Sequence, residues 1–347
     1  MSTRADRDHI VDVLRFVAIV CIIVAHATPS DIFFQIRNFD VVLMVFLNGI
    51  SFYISQNNKK IKYKNYITKR FNRLILNTWI FLVLFFLMFY IISFVLKTEY
   101  YFGIRTILAS FSLISGIGYV WIMYVFFVVA LISPFILVLS KKITNNFNYF
   151  AILCVAYISY EILIRANSLL PNTLEHISEM FVLNPLGYCI VAAVGIRFKE
   201  LNKKDISIGI GIFLLAFLSL FYLKDFESTQ NFKYPPTIYY LSYGLFVSFT
   251  LYLLLTLSLT QKIFFNRFVF FFSKTSLNLY FFHIISLYLL EIYGDKLSFI
   301  PNYFSTRFIF IVSMGMLLTY LTEILEKRWN KTTIKRRLVS DPNSVKI

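Results

Sequence analysis

Residues 12–27, DVLRFVAIVCIIVAHA, set an arginine, Arg15, and a histidine, His26, in an otherwise apolar run. Both groups are costly in hydrocarbon, so each needs a structural or a chemical reason to be there. Eleven helical steps of 100° return His26 to within roughly 20° of Arg15, about 16 Å further along one face. A stripe with two polar groups points to a face against protein, water or a ligand. A neutral imidazole can take a proton from a hydroxyl, because its pKa lies close to working pH. An arginine offers a planar fork that suits phosphate. One helix would then present a phosphate clamp at one end and a base at the other. That suits a long ligand carrying phosphates at one end and a reactive group at the other. The plainer readings are a snorkelling Arg15 with Asp12 as its local partner, and a His26 bonded to a backbone carbonyl near the interface.

A second basic pair lies in YITKRFNRL, where Arg70 and Arg73 are three apart and Lys69 is adjacent. If the following helix starts early, the pair shares a face and offers a phosphate site. The alternative is a positive cluster flanking a membrane helix, which accounts well for the Lys-rich part 59–64. His283 sits near the middle of a late apolar run, where burial within the protein is preferred over catalysis. Cys21, Cys154 and Cys189 lie in apolar runs without metal-type spacing and read as small buried hydrophobes. No Gly-x-Ser-x-Gly elbow or zinc-type His/Glu cluster occurs, which argues against serine-hydrolase chemistry and against a metal.

The elements that must position these residues follow from composition. Of 347 residues 58% are hydrophobic and 15% charged, with 40 Phe and 23 Tyr but only 11 Gly and 8 Pro. That excludes soluble domains and long flexible linkers, and indicates an all-α, multi-spanning integral membrane protein. Ten spans are expected, near 10–28, 39–55, 74–96, 119–139, 148–165, 181–198, 206–223, 238–260, 276–293 and 305–325. The N-terminus is polar and no small-residue cleavage site follows the first run, which reads as a retained helix. With that N-terminus in the cytoplasm, 25 of the 34 Lys and Arg fall on cytoplasmic segments. This positive-inside pattern predicts both termini in the cytoplasm. It also accounts for most of the +16 net charge as orientation and lipid contact, without nucleic acid.

Residues 102–118 are apolar enough to tempt an eleventh crossing. Arg105 and scattered Ser and Gly argue for a re-entrant or interfacial helix, and a further crossing would invert everything downstream. The expected organisation is one transmembrane domain over 1–326 and a short, basic, flexible cytoplasmic tail over 327–347. The external connections 97–118, 166–180 and 224–237 are less basic and hold Tyr, Asn, Pro, Glu and Asp. The asymmetry points to phosphate inside and polar, sugar-like ligands outside.

DVLRFVAIVCIIVAHA matches the Arg-x10-His signature of the membrane acyltransferase-3 family. FDVVLMVFLNGISFYIS resembles that family's second helix, YITKRFNRLI its Arg-x-x-Arg segment, YVWIMYVFF its Trp-containing fourth helix and SLNLYFFHIISL its late Tyr-x-x-His helix. KYPPTIYYLSYGL, residues 233–245, looks like a segment of members that modify surface polysaccharides. The resemblance covers essentially the whole chain.

It implies transfer of an acyl group, usually acetyl from acetyl-CoA, to a sugar hydroxyl of a surface polysaccharide, such as a capsule, or a lipid-linked sugar. The setting would be a multi-pass protein of the plasma membrane. Carried over residue by residue, Arg15 and His26 are the central pair, and Arg70, Arg73 and Lys69 are contacts to donor phosphates. Trp121 and Tyr124 are candidates for lining the acyl or acceptor pocket, although an aromatic belt is the commoner use of such residues. Asn48 stands where the family commonly has Ser before Gly, so no hydroxyl role is carried over there. No periplasmic hydrolase-like domain is expected after the last span. Direct transfer and a transient acyl-enzyme are both left open, as is a homo-oligomer. A glycan transporter is the rival class, but no inverted repeat or paired broken helices support it. A non-catalytic assembly scaffold ranks last.

Overall fold

The computed structural model describes residues 8–56, 59–113, 115–297 and 303–340. Helices carry most of them. In chain order they are α1 (His9–His26), α2 (Asp31–Ile36), α3 (Asp40–Gln56), α4 (Tyr63–Phe71), α5 (Asn77–Leu96), α6 (Ile104–Phe111), α7 (Trp121–Lys142) and α8 (Asn146–Asn167). Then follow α9 (Asn172–Ser178), α10 (Asn184–Phe198), α11 (Lys203–Leu223), α12 (Ile238–Leu254), α13 (Ser258–Phe264), α14 (Arg267–Lys274), α15 (Ser276–Tyr293) and α16 (Phe304–Ser340). Among the described residues nine helical runs are long and apolar enough to cross a membrane, and the pair α12–α13, bent by 95°, makes a tenth. The all-α, membrane-spanning class is therefore as composition predicts. In hydrocarbon each backbone N–H and C=O must be satisfied within its own segment, which leaves the apolar runs little choice but helix.

Three spans begin earlier than the apolar runs do. The second starts at Asp31, the third at Tyr63 and the sixth at Asn172. In the last two a five-residue π-turn, Asn72–Leu76 or Glu179–Leu183, joins a polar helical stretch to the apolar helix. Hydropathy registers only the apolar half. The segment 102–118 contributes α6, whose eight residues reach only about 12 Å and cannot cross a bilayer. Of the tail expected over 327–347, the part through Ser340 is helical, and 341–347 lie outside the described residues. Cys189 is buried as expected, but Cys21 is half-buried and Cys154 exposed.

The described chain forms two compact units. In the larger, which holds Pro29–Lys274 and the chain up to Ala25, α10 packs on α3 and α7. Of the apolar window in Asn172–Phe198 67% is buried, against 6% for Lys203–Leu223, so α10 is core and α11 presents its surface outward. The α3–α10 crossing is closed by glycines. A Cβ on Gly49 would lie 2.3 Å from the Ala192 carbonyl oxygen, and one on Gly195 would lie 2.2 Å from that of Phe46. Small residues let membrane helices approach backbone to backbone.

Arg197, at the end of α10 and 2% exposed, ties three helix ends together. Its guanidinium donates to the carbonyls of Ser140 (2.7 Å) and Thr144 (2.6 Å) and to Asn146 Oδ1 (2.8 Å), and pairs with Glu200 at 2.8 Å. The last carbonyls of a helix lack partners within it, and this side chain supplies them. The smaller unit holds His26–Thr28 and the chain from Thr275 onward, with α15 packed along α16.

Candidate active site

Arg15 is held by side chains from its own helix and two others. Its Nη2 donates to Ser51 Oγ on α3 at 3.0 Å, while Nη1 reaches Ser273 Oγ on α14 and Asp12 Oδ1, each at 3.4 Å. Ser273 Oγ also donates to Asp12 Oδ1 at 2.7 Å, and the Asp12 side chain is nearly buried. Three helices thus fix the plane of the guanidinium while 25% of the side chain remains exposed. Asp12 as local partner is legible in the sequence; Ser51 and Ser273 are not. The only signal for either is a hydroxyl at the edge of an apolar run. The arrangement can present an oriented, positively charged fork to an anionic ligand group.

His26, the last residue of α1, stacks on His283 of α15, with ring centroids 5.4 Å apart and planes at 29°. His283 is completely buried, as anticipated, and Tyr280 meets its ring edge-on at 5.1 Å. Nδ1 of His283 lies against the Tyr280 carbonyl oxygen, an acceptor, so in the neutral ring Nδ1 carries the proton and donates. The contact with His26 gives this residue a second role that its burial alone does not announce. Half-buried His26 thus keeps one ring face against a buried imidazole.

Lys69 and Arg70 end α4, and Arg73 lies within the π-turn that follows. The span does start early, as the shared-face reading requires, yet the π-turn alters the angular step between the two arginines. π-Turns recur at functional sites because they re-aim side chains without ending the helix. Arg70 lies 5.3 Å above the Tyr66 ring, and Lys69 and Arg73 are exposed. None of them lines the cavity that holds Trp121 and Tyr124.

That cavity, of about 390 Å³, brings together residues from several helices and loops. Trp121 and Tyr124 come from α7, His176 from α9, Glu179 and Met180 from the second π-turn, and Asn184 from the start of α10, with Tyr234 from a connecting loop. Trp121 meets Tyr234 edge-on at 5.0 Å, and Tyr124 donates its hydroxyl to the Phe181 carbonyl at 3.2 Å. Sequence reasoning found the α7 pair and missed the others.

Tyr234 is positioned by a buried polar lock, also missed. Arg37 and Asp40 pair at 2.9 Å, and Lys233 Nζ lies 3.8 Å from Asp40. Gln35 and Asn38 both donate to Thr229 Oγ1, at 3.0 and 2.8 Å. Burial pulls the Lys233 ammonium below its ordinary pKa; Asp40 opposes this and Arg37 adds to it. Lys233 is the one member of this lock that lies within residues 233–245; the others come from the start of the second span and from the loop at Thr229.

The family model described as an acyltransferase domain, acyltransferase 3, matches residues 8–324. No curated protein and no solved structure matches the chain. The match takes in both residues of the Arg-x10-His pair and every helix that surrounds Arg15. The chain belongs to the membrane acyltransferase-3 family and is a multi-pass membrane acyltransferase.

Proposed function

We propose that this acyltransferase moves an acetyl group from cytoplasmic acetyl-CoA to a hydroxyl of a cell-surface polysaccharide or lipid-linked sugar, in the plasma membrane. The observation that carries the reading is the setting of α1. Its Arg15 is held in a three-helix polar cluster, and the imidazole of His26 at its end is held against the buried imidazole of His283. A structural anchor would need neither arrangement.

In this reading Arg70, Arg73 and Lys69 hold the donor phosphates, and Arg15 contacts a further anionic or carbonyl oxygen along the donor. His26 removes the proton of the acceptor hydroxyl as that oxygen attacks the thioester carbonyl. The carbon–sulfur bond breaks, the acetyl group passes to oxygen, and the thiolate of coenzyme A takes up the proton. General-base assistance of this kind contributes about 10²–10⁴-fold to a rate.

The test is purified full-length protein in lipid nanodiscs, supplied with acetyl-labelled CoA and unacetylated envelope polysaccharide. Label should appear as an alkali-labile ester on the polysaccharide. Movement of glycan across sealed vesicles without donor, and with no ester formed, would instead identify a transporter.

A further inference from the structure

The cavity around Trp121 is chemically unlike a phosphate-binding donor site, which leaves the acyl and acceptor uses for Trp121 and Tyr124. Among the described residues no Lys or Arg lines it, and Glu179 contributes a carboxylate. Phosphates of coenzyme A would find no counter-charge there. A simple acyl chain would fit the aromatic walls but would leave the polar ones unsatisfied. Chief among these is Asn184, 9% exposed, whose buried Oδ1 has no hydrogen-bond partner. A buried acceptor oxygen without a donor is costly, and a ligand hydroxyl supplies the missing donor.

We propose that this cavity is a subsite for one uncharged pyranose residue of the acceptor glycan. The inference rests on the reading of the protein as a sugar O-acetyltransferase. A pyranose presents apolar C–H faces and a rim of hydroxyl donors, which match aromatic side chains and oxygen acceptors respectively. The faces pack on Trp121, whose plane is fixed by the edge-on contact with Tyr234, and on Tyr124, which is anchored through Phe181. The hydroxyls donate to Asn184 Oδ1 and to Glu179, whose side chain is only partly exposed and lies 4.0 Å from His176 Nδ1. The π-turn Glu179–Leu183 places Glu179 and Asn184 at its two ends, so both acceptors enter the cavity from one local feature. The volume of about 390 Å³ falls in the usual range for small-molecule sites, about 300–1,000 Å³.

The experiment measures transfer from acetyl-CoA to unacetylated envelope polysaccharide for wild type, Asn184→Leu, Trp121→Ala and Trp121→Phe. Asn184→Leu and Trp121→Ala should raise the acceptor KM at least about tenfold with the donor KM held within about twofold, and Trp121→Phe should recover most of the loss. An unchanged acceptor KM, or a rise confined to the donor KM, overturns the proposal. Binding of the same polysaccharide without donor, followed by titration calorimetry, separates this test from that of the activity. Should wild type show no acetyl transfer yet bind polysaccharide, and should Asn184→Leu weaken that binding about tenfold, the subsite stands and the acetyltransferase reading falls. Equal binding by wild type and Asn184→Leu rejects the subsite whatever the activity.

Discussion

Arg15 illustrates how a costly charge becomes a tool. Asp12, Ser51 and Ser273 surround it, so removing the cation would take a charged partner from a nearly buried carboxylate. Lysine keeps the charge but is a point donor that cannot span Ser51 and Asp12 while presenting a planar fork. Arg15→Lys should therefore stay folded and raise the donor KM by about tenfold, measured by initial rates against acetyl-CoA. A wild-type KM in that variant would reduce the arrangement to packing. The pairing with Asp12 is legible because it is local, one helical turn away. Ser51 and Ser273 lie 36 and 258 residues along the chain, and His283 joins His26 from a distant helix. Such meetings follow from tertiary packing, which one chain's local pattern does not encode.

Among elements, the apolar runs were readable because hydrocarbon demands long, internally bonded helices. Their starts were not. Tyr63–Phe71 and Asn172–Ser178 are polar enough to look like connections, whereas apolar Asp31–Ile36 is cut off from its span by the polar residues Arg37 and Asn38. π-Turns or a short turn weld all three to their spans. The functional candidates Arg73 and Glu179 both fall on those welds. The α3–α10 crossing was likewise hidden, since a glycine in an apolar run does not reveal what it touches. Gly195→Ala drives a methyl into the Phe46 carbonyl and should cost about 1–3 kcal/mol. Thermal unfolding in detergent, followed by size-exclusion fluorescence, should show a lowered midpoint. An unchanged midpoint would mean that the helices part without penalty.

For the whole molecule the charge distribution makes a definite statement about orientation. Concentration of 25 of 34 Lys and Arg on alternate connections should place both termini in the cytoplasm. Reporter fusions at each end, one active only inside the cell and one only outside, should both read inside; opposite readings at the two ends would remove a span from the count. In that orientation Arg70 and Arg73 would face the cytoplasm, the side of the proposed donor, and the Trp121 cavity would face outward, the side of the proposed glycan. The account turns on His26 as the base in that transfer. The most direct measurement pairs equilibrium binding of acetyl-CoA with single-turnover acetyl transfer for His26→Gln in nanodiscs. Donor binding should match wild type while the transfer rate falls by about 100-fold or more. A transfer rate equal to wild type would contradict the account.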